Sequence, residues 1–246
     1  IHLAAQSNVP LSFRDPEGTF RVNAIGTLRL LEGLKRTSGT PRLLMVSSGD
    51  VYGLVGEEQL PISEEIPPRP RNPYAVSKVA AEALCFQWSR TERLEVTVAR
   101  PFNHIGAGQS DTFPLPAFAR QIAEIRAGRR EPVIEVGDID VKRDFLHVDD
   151  VIEGYLSLLE TGEPGEIYNI ASGQDRRVRD LLERMLEIAG VRADIHPDPA
   201  RHRPAEQRVA RGGNAKILGL GWRPSRDIDE ALGEILKDWE QRAGNG

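Results

Sequence analysis

The sequence lacks several features that mark particular classes of protein. Its 246 residues include one cysteine, Cys85, so no disulfide forms within the chain, which fits a reducing cytoplasm. The longest apolar runs have only the length of a strand, so we expect no membrane span. Lysine and arginine form no dense block and the formal net charge is −5, which argues against nucleic acid as a partner. We therefore predict a cytoplasmic globular protein.

Two residues with complementary chemistry are present four positions apart, Tyr74 and Lys78. Residues at this spacing share one face of a helix. Asn72 is a good N-cap and Pro73 suits the first helical position, so a helix is predicted to begin here. An ammonium beside a phenol favours the phenolate, so we expect Lys78 to lower the pKa of Tyr74 from about 10. Such a tyrosine could exchange a proton with a sugar hydroxyl or keto oxygen near neutral pH.

This tyrosine–lysine spacing is weak evidence alone, because an exposed helix turn produces it equally well. The preceding apolar segment 43–46 reads as a buried strand and ends in Ser47 and Ser48. A serine at a strand end could hold the same oxygen that Tyr74 protonates. In an open α/β sheet, ligands bind outside these strand ends.

The order of predicted elements indicates the fold class. Helical spacing in 16–34, a strand at 43–46, the helix at 74–88 and a strand at 96–99 alternate along the first half. That alternation predicts an α/β protein with a doubly wound parallel sheet. The second half is mixed. Its predicted helices are 116–126, 149–159, 178–189 and 227–239, and its predicted strands are 132–136, 143–147 and 166–171.

The first residues carry an expectation of their own. Ile1 is not a methionine, and segment 1–5 reads as the end of a buried strand. We therefore expect the coding sequence to continue upstream of Ile1.

Several segments, in order over nearly the whole chain, resemble the extended short-chain dehydrogenase/reductase family, whose members act on nucleotide sugars. These segments are His2–Ser7, Asn23, Ser47–Gly53, the Tyr74/Lys78 pair, Arg100–His104, Arg143–Asp150 and Gly221–Pro224. Segments 5–9, 102–106 and 203–206 are similar to the branch of GDP-mannose 4,6-dehydratases and GDP-6-deoxy-4-keto-mannose reductases.

The resemblance implies a Rossmann-like sheet, NAD or NADP as cofactor, and a smaller mixed α/β substrate domain. The family's Gly-rich phosphate-binding turn is absent, so the sheet is predicted to lack its first strands. The family resemblance predicts a cofactor domain at 1–110 and a nucleotide-sugar domain at 111–246. Residues of about 144–171 are expected to be interleaved with the cofactor domain. The resemblance also predicts a homodimer through the helices at 16–34 and 74–88, a self-complementary contact.

The resemblance also assigns roles to individual residues. The catalytic residues are Ser48, Tyr74, Lys78 and Asp50. The expected cofactor contacts are Ala4, Ala5, Gln6, Ser47, Tyr74, Lys78 and Pro101. The expected substrate contacts are Asn103, Arg143, Arg203 and Glu206, in which the arginines hold the diphosphate and Glu206 the ribose.

Each substrate role has an ordinary structural alternative. Asn103 could be a turn residue, Glu206 could simply be solvated, and Arg143 could pair with Asp140 or Asp144. No metal site is expected, because neither His104 nor His147 has a partner at a ligand spacing.

The residues after Ser48 bear on the reaction. In the family's dehydratases, these positions carry the acid and base that remove water across C5 and C6. Here Gly49 offers no side chain and Asp50 is a short carboxylate, which could also bond only local backbone amides. We therefore favour reduction of a 4-keto sugar on GDP, with Tyr74 as proton donor. The alternatives are a GDP-mannose 4,6-dehydratase or a 4-epimerase with tightly bound NAD, and a non-catalytic sugar-nucleotide-binding protein.

Overall fold

The computed structural model of the protein describes residues 1–39, 41–92, 94–198 and 207–244. They form two compact units, each built from separate stretches of the chain. The first unit contains Ile1–Phe102, Val151–Gly173 and Gly212–Arg223, and the second contains Asn103–Asp150, Gln174–Arg211 and Pro224–Gly246. None of the described helices is long and apolar enough to cross a membrane.

The first unit is built on a three-stranded parallel sheet. Its order is β1 (Arg42–Val46), β2 (Glu95–Pro101) and β6 (Ile167–Ile170). Its helices are α1 (Val9–Arg14), α2 (Pro16–Phe20), α3 (Gly26–Lys35), α4 (Pro73–Thr91) and α8 (Ala215–Gly219). Strands β1 and β2 are almost entirely buried, as expected of parallel strands covered by helices.

The core between the sheet and helices α3 and α4 is apolar. It contains Leu31, Leu43, Met45, Ala81, Cys85, Trp88, Leu94, Val96 and Val98. Burial raises the pKa of the Cys85 thiol to about 12, which agrees with a packing role for this residue.

The N-terminal segment differs from its prediction. Only His2 is paired, in an isolated bridge to Met45, while Ile1 and Leu3 are largely exposed. The prediction that segment 1–5 is the end of a buried strand is therefore wrong for the structure described here. Farther on, Asp15 caps α2, its carboxylate accepting from the Gly18 N–H at 2.8 Å. A π-helical turn, Arg21–Ile25, joins α2 to α3.

The second unit contains two smaller sheets. The first contains β3 (Asn103–Ile105), β5 (Lys142–His147), β7 (Asp175–Arg177) and β9 (Val209–Ala210), and the second pairs β4 (Val133–Val136) with β8 (Asp194–Pro197). Its helices are α5 (Pro114–Arg126), α7 (Val178–Ala189) and α9 (Ile228–Gly244). Their apolar faces share one core with the strands, as amphipathic helices require.

Helix α6 (Val148–Thr161) begins in the second unit and continues in the first. The helix predicted at 149–159 begins one residue earlier, at Val148, so Asp149 and Asp150 already lie in its first turn. Asp150 is buried and accepts hydrogen bonds from the Ser225 N–H at 3.2 Å and the Arg226 N–H at 3.1 Å. Its carboxylate thus anchors the approach to α9.

Candidate active site

The end of β1 and the first turns of α4 bring three predicted catalytic residues together. Asn72 caps α4, its side-chain oxygen accepting from the Ala75 N–H at 2.7 Å. This places Tyr74 in the first turn and Lys78 one turn later, both buried. The Lys78 ammonium donates to the Val46 carbonyl oxygen at 2.8 Å and lies 5.9 Å from the centroid of the Tyr74 ring.

The pKa of Tyr74 moves in the opposite direction from the prediction. Burial raises the pKa of this phenol to about 12, although a side-chain hydrogen bond with Ser48 lowers it, and the charge of Asp50 raises it further. The expectation that Lys78 would lower this pKa is wrong for the protein alone. Desolvation of the phenol is the largest influence on this pKa.

Burial also lowers the pKa of Lys78, to about 8, while the charge of Glu82 opposes that change. At neutral pH the pair therefore consists of a neutral phenol and an ammonium close to its titration range. A neutral phenol is the form that can give a proton to an oxygen acceptor. The protonation state of Tyr74 at neutral pH is therefore that of a proton donor rather than of a base.

Ser48 and Asp50 belong to one short segment after β1. Gly49–Tyr52 forms a 3₁₀ turn, in which the Ser48 hydroxyl accepts from the Asp50 N–H at 3.2 Å. The turn ends at Gly53, whose φ is 68° and where a Cβ would lie 1.9 Å from the Arg69 carbonyl oxygen. Only glycine fits there. The side chain of Asp50 is exposed, and its charge acts on the Tyr74 phenol.

The predicted cofactor contacts near the N-terminus follow His2, which pairs with Met45 of β1. Ala4 is exposed and Ala5 partly so, and each carries only a methyl side chain. The Gln6 N–H donates to the Asn23 side-chain oxygen at 2.8 Å, and the Asn23 amide donates to the Ser77 hydroxyl on α4 at 2.9 Å. Asn23 thus ties the N-terminal segment to the helix that carries Tyr74.

Two other predicted cofactor contacts are buried. Pro101 closes β2, and the Ser47 hydroxyl donates to the Glu82 carboxylate. Ser47 could therefore reach a cofactor only through its backbone.

The residues present fit a nicotinamide nucleotide beside Lys78. An ammonium carries three N–H donors, and within the described part of the chain its hydrogen-bond acceptor is the Val46 carbonyl oxygen. Ribose hydroxyls would be suitable acceptors for the others. The exposed Ala4 has only a methyl side chain and follows the residue pair that joins the N-terminal segment to β1. The Gly-rich turn that would hold a pyrophosphate is not among these residues.

The second unit contains the remaining described substrate candidates. Asn103 is exposed on β3, and its amide donates to the Asp144 carbonyl oxygen at 3.2 Å. Arg143 lies on β5 opposite Arg176 of β7. Asp140, one alternative partner for Arg143, is paired with Arg177 and Arg179. Arg203 and Glu206 lie outside the described residues.

Sequence reasoning gave no role to two buried charged residues behind this site, Glu82 and Arg100. The guanidinium donates to the carboxylate through two nitrogens, Nη2 to Oε2 at 2.6 Å and Nε to Oε1 at 2.9 Å. Two signals could have found them. Glu82 follows Lys78 by one helical turn, and Arg100 interrupts a strand that is otherwise apolar toward its end.

Comparison with known proteins identifies the family. A family model described as GDP-mannose 4,6 dehydratase matches residues 1–235. The chain belongs to the GDP-mannose 4,6-dehydratase family. One relative in this family, the GDP-6-deoxy-D-mannose reductase of Pseudomonas aeruginosa, is 54% identical over 243 residues, which are 98% of this chain and 80% of the relative. The dTDP-glucose 4,6-dehydratase of Streptomyces antibioticus is 33% identical over 240 residues, 97% of this chain and 69% of that protein.

Solved structures agree with this family assignment. RMD from Pseudomonas aeruginosa, complexed with NADPH, is similar with a TM-score of 0.94 and 52% identity, covering 98% of this chain and 80% of that one. DesIV from Streptomyces venezuelae, a dTDP-glucose 4,6-dehydratase with NAD and TYD bound, has a TM-score of 0.85 and 27% identity, covering 99% and 73%. The predicted family, α/β Rossmann-like fold and class of NAD(P)-dependent nucleotide-sugar oxidoreductases are confirmed.

Proposed function

We propose that this chain reduces the C4 keto group of a GDP-linked 4-keto-6-deoxy hexose, with NADPH as cofactor. The observation that carries this proposal is the 54% identity to a GDP-6-deoxy-D-mannose reductase over 98% of the chain. The NADPH in the related RMD structure supports the choice of cofactor.

The side chains at the end of β1 and the start of α4 have the properties that this reaction needs. NADPH, when bound, supplies the hydride. The Tyr74 phenol, neutral because burial raises its pKa, donates its proton to the oxygen at C4. The Ser48 hydroxyl orients that same oxygen, and the Lys78 ammonium holds the cofactor's ribose and adds positive charge beside the phenol.

The segment after Ser48 supports reduction over dehydration. Elimination of water needs a base near the C5 proton and an acid near the leaving hydroxyl. Gly49 supplies neither, and a Cβ at that position would already lie 3.4 Å from ring carbons of Phe102. Asp50 alone would have to serve both roles. The second candidate function, GDP-mannose 4,6-dehydration, is favoured by the family match itself.

We further propose that the first unit binds NADPH and the second unit binds the nucleotide sugar. Arg143 and Arg203 would hold the diphosphate, Asn103 a sugar or phosphate oxygen, and Glu206 the ribose hydroxyls. Arg143 faces Arg176 across β5 and β7, and two arginines opposite each other on neighbouring strands support the binding of an anionic diphosphate here.

The test uses the full chain with NADPH and, in separate reactions, GDP-mannose, its 4-keto-6-deoxy derivative, and the dTDP-linked 4-keto sugar. Oxidation of NADPH should require the GDP-linked keto sugar. Formation of the keto sugar from GDP-mannose would identify a dehydratase instead. Preference for the dTDP-linked sugar would refute the GDP assignment.

A matched pair of variants tests the diphosphate contact. Arg143→Ala should raise KM about ten- to a hundred-fold, since a charge-assisted contact contributes about 1.5–3 kcal/mol. Arg192→Ala, which removes an exposed arginine elsewhere, should leave KM unchanged. Equal KM values for the two variants would remove Arg143 from the site.

We also propose that the protein is a cytoplasmic homodimer. Among the described residues, the helices at 16–34 and 74–88, together with α1, carry seven exposed large apolar side chains: Leu11, Phe13, Phe20, Val22, Ile25, Val76 and Phe86. Such a concentration on neighbouring helices supports a protein interface. A two-fold contact would bury the same surface on both copies.

A further inference from the structure

A buried ion pair lies behind the candidate active site, and the proposed reaction assigns it no role. Arg100 on β2 is 2% exposed and Glu82 on α4 is 6% exposed. Removing both charges from water is costly, and apolar residues of similar volume often stabilise a fold as well or better. A role in stability alone therefore does not account for this pair.

Glu82 holds the beginning of the segment that carries Ser48. Its carboxylate accepts a hydrogen bond from the Ser47 hydroxyl. The residue before it, Val46, accepts from the Lys78 ammonium at 2.8 Å. Lys78 and Glu82, one turn apart on α4, thus form hydrogen bonds with Val46 and Ser47, the two residues immediately before Ser48.

Arg100 supports the other end of the same segment. Its Cζ lies 4.7 Å from the centroid of the Tyr52 ring, and its Nη1 finds no hydrogen-bond partner among the described residues. The electron-rich ring face attracts the cation. The Tyr52 hydroxyl is held in turn by the Asn169 side-chain oxygen at 2.6 Å. Residues 48–51 therefore lie between two residues, Ser47 and Tyr52, that contact the same ion pair.

Glu82 also adds negative charge near the active-site ammonium. The groups facing Lys78 are His2 from the N-terminal segment, and Tyr74 and Glu82 from its own helix, with Asp50 acting on Tyr74 from the turn after β1. Among these, Glu82 raises the pKa of Lys78 against the effect of burial. Removing its charge would lower that pKa below about 8.

We propose that Arg100 and Glu82 are positioning residues, which hold segment 47–52 at both ends so that Ser48 and Asp50 keep their places beside Tyr74. The expected effect of this support on catalysis rests on the reduction proposed above. The structural consequence is independent of any substrate, so the two can fail separately.

The first test measures hydrogen exchange of the backbone amides in segment 47–53 of the full chain without substrate. Glu82→Gln keeps the side-chain volume but leaves the buried guanidinium uncompensated. The amides of Val51 and Gly53 are protected by hydrogen bonds of 3.3 and 3.2 Å within the segment, and we expect their exchange to accelerate roughly tenfold or more.

The control for this measurement is Glu95→Gln. Glu95 pairs with Arg42 at 3.0 Å where β2 and β1 begin, whereas segment 47–53 follows the other end of β1. This variant makes the same chemical change in an exposed pair and should leave exchange in 47–53 unaltered. Wild-type exchange in Glu82→Gln, or equal acceleration in both variants, would overturn the proposal.

The second test measures reduction of the GDP-linked keto sugar. In Glu82→Gln, kcat should fall roughly 10- to 100-fold, because supporting residues and small misplacements have effects of that size. KM should change little, since Glu82 touches no substrate. The rate of reduction should fall at high pH, where the Lys78 ammonium loses its proton, and this fall is called the high-pH limb. In Glu82→Gln the high-pH limb should move to lower pH, because the pKa of Lys78 is lower there. An unmoved limb with wild-type kcat would contradict the role of Glu82.

A second variant keeps the proposal testable if Glu82→Gln does not fold. Tyr52→Leu removes the ring beside Arg100 and leaves Glu82 and Lys78 in place. It should lower kcat and accelerate exchange in 47–53 without moving the high-pH limb. Wild-type exchange in a folded Tyr52→Leu protein would refute the support at this end. If the wild-type chain reduces no keto sugar, the proposed function fails and the exchange experiments still decide the structural claim.

Discussion

Replacement of Tyr74 by phenylalanine is the sharpest test of the proposed chemistry. The change removes one oxygen atom and keeps a ring in the same buried position. Loss of a general acid lowers turnover by roughly 10²- to 10⁴-fold. That factor corresponds to about 2.7–5.5 kcal/mol in the activation free energy. The hydrogen bond with Ser48 is lost as well, which costs about 1 kcal/mol of folding stability.

The assay follows NADPH oxidation in the presence of the GDP-linked keto sugar, with kcat and KM determined separately. The loss should appear in kcat, because Tyr74 acts on the oxygen only as it gains charge. Tyr168→Phe is the matched control: Tyr168 is buried on β6 and its hydroxyl accepts from the Glu163 N–H at 3.2 Å. Turnover in Tyr74→Phe within a few-fold of wild type, or no greater a loss than in Tyr168→Phe, would refute the assignment.

Three further predictions concern pH, assembly and packing. The kcat/KM for reduction should fall as pH rises through about 8, because the Lys78 ammonium loses its proton there while the Tyr74 phenol stays neutral to about 12; a profile that rises between pH 7 and 9 would contradict this order. Phe13→Glu, at a side chain 62% exposed on α1, should convert the dimer into a monomer in sedimentation experiments, whereas Leu54→Glu, exposed outside these helices, should not. Gly212→Val should destabilise the protein by about 1–3 kcal/mol in urea unfolding, because its Cβ would lie 2.4 Å from the Ala171 Cβ, while Gly33→Ala, with open space around it, should cost nothing.

Much of the fold follows from local sequence patterns. The helix at 178–189 has the predicted bounds, and the strands at 43–46 and 96–99 lengthen by one to three residues. These elements have unbroken periodicity or clear caps, which act over a few residues. For the N-terminal segment 1–5, the same kind of local pattern predicted a buried strand that the structure does not contain. An apolar run reads as a buried strand, but burial depends on what packs against it, and Ile1 and Leu3 are exposed.

The second unit depends more on long-range pairing. β7 and β9 are three and two residues long, and each pairs with β5 across 30 or more intervening residues. Such short strands carry too few residues to show alternation. Their existence is set by the neighbouring strand rather than by their own sequence.

The amino-acid sequence alone specifies which chemical groups meet at the candidate active site. Tyr74 and Lys78 share a helix face because they are four residues apart, and Asn72 and Pro73 set where that helix begins. Ser48 joins them because it ends a strand that parallel pairing brings to the same edge.

How those groups behave depends on the tertiary structure. Burial by the whole unit raises the pKa of Tyr74 and reverses the local expectation, because desolvation depends on every atom packed around the phenol. The same packing turns the Ser47 hydroxyl toward Glu82 and joins Glu82 to Arg100, residues 18 positions apart on different elements. The four-residue spacing of Tyr74 and Lys78 specifies that the two side chains lie close together on one helix. The charge state of a buried group is a property of the complete three-dimensional environment.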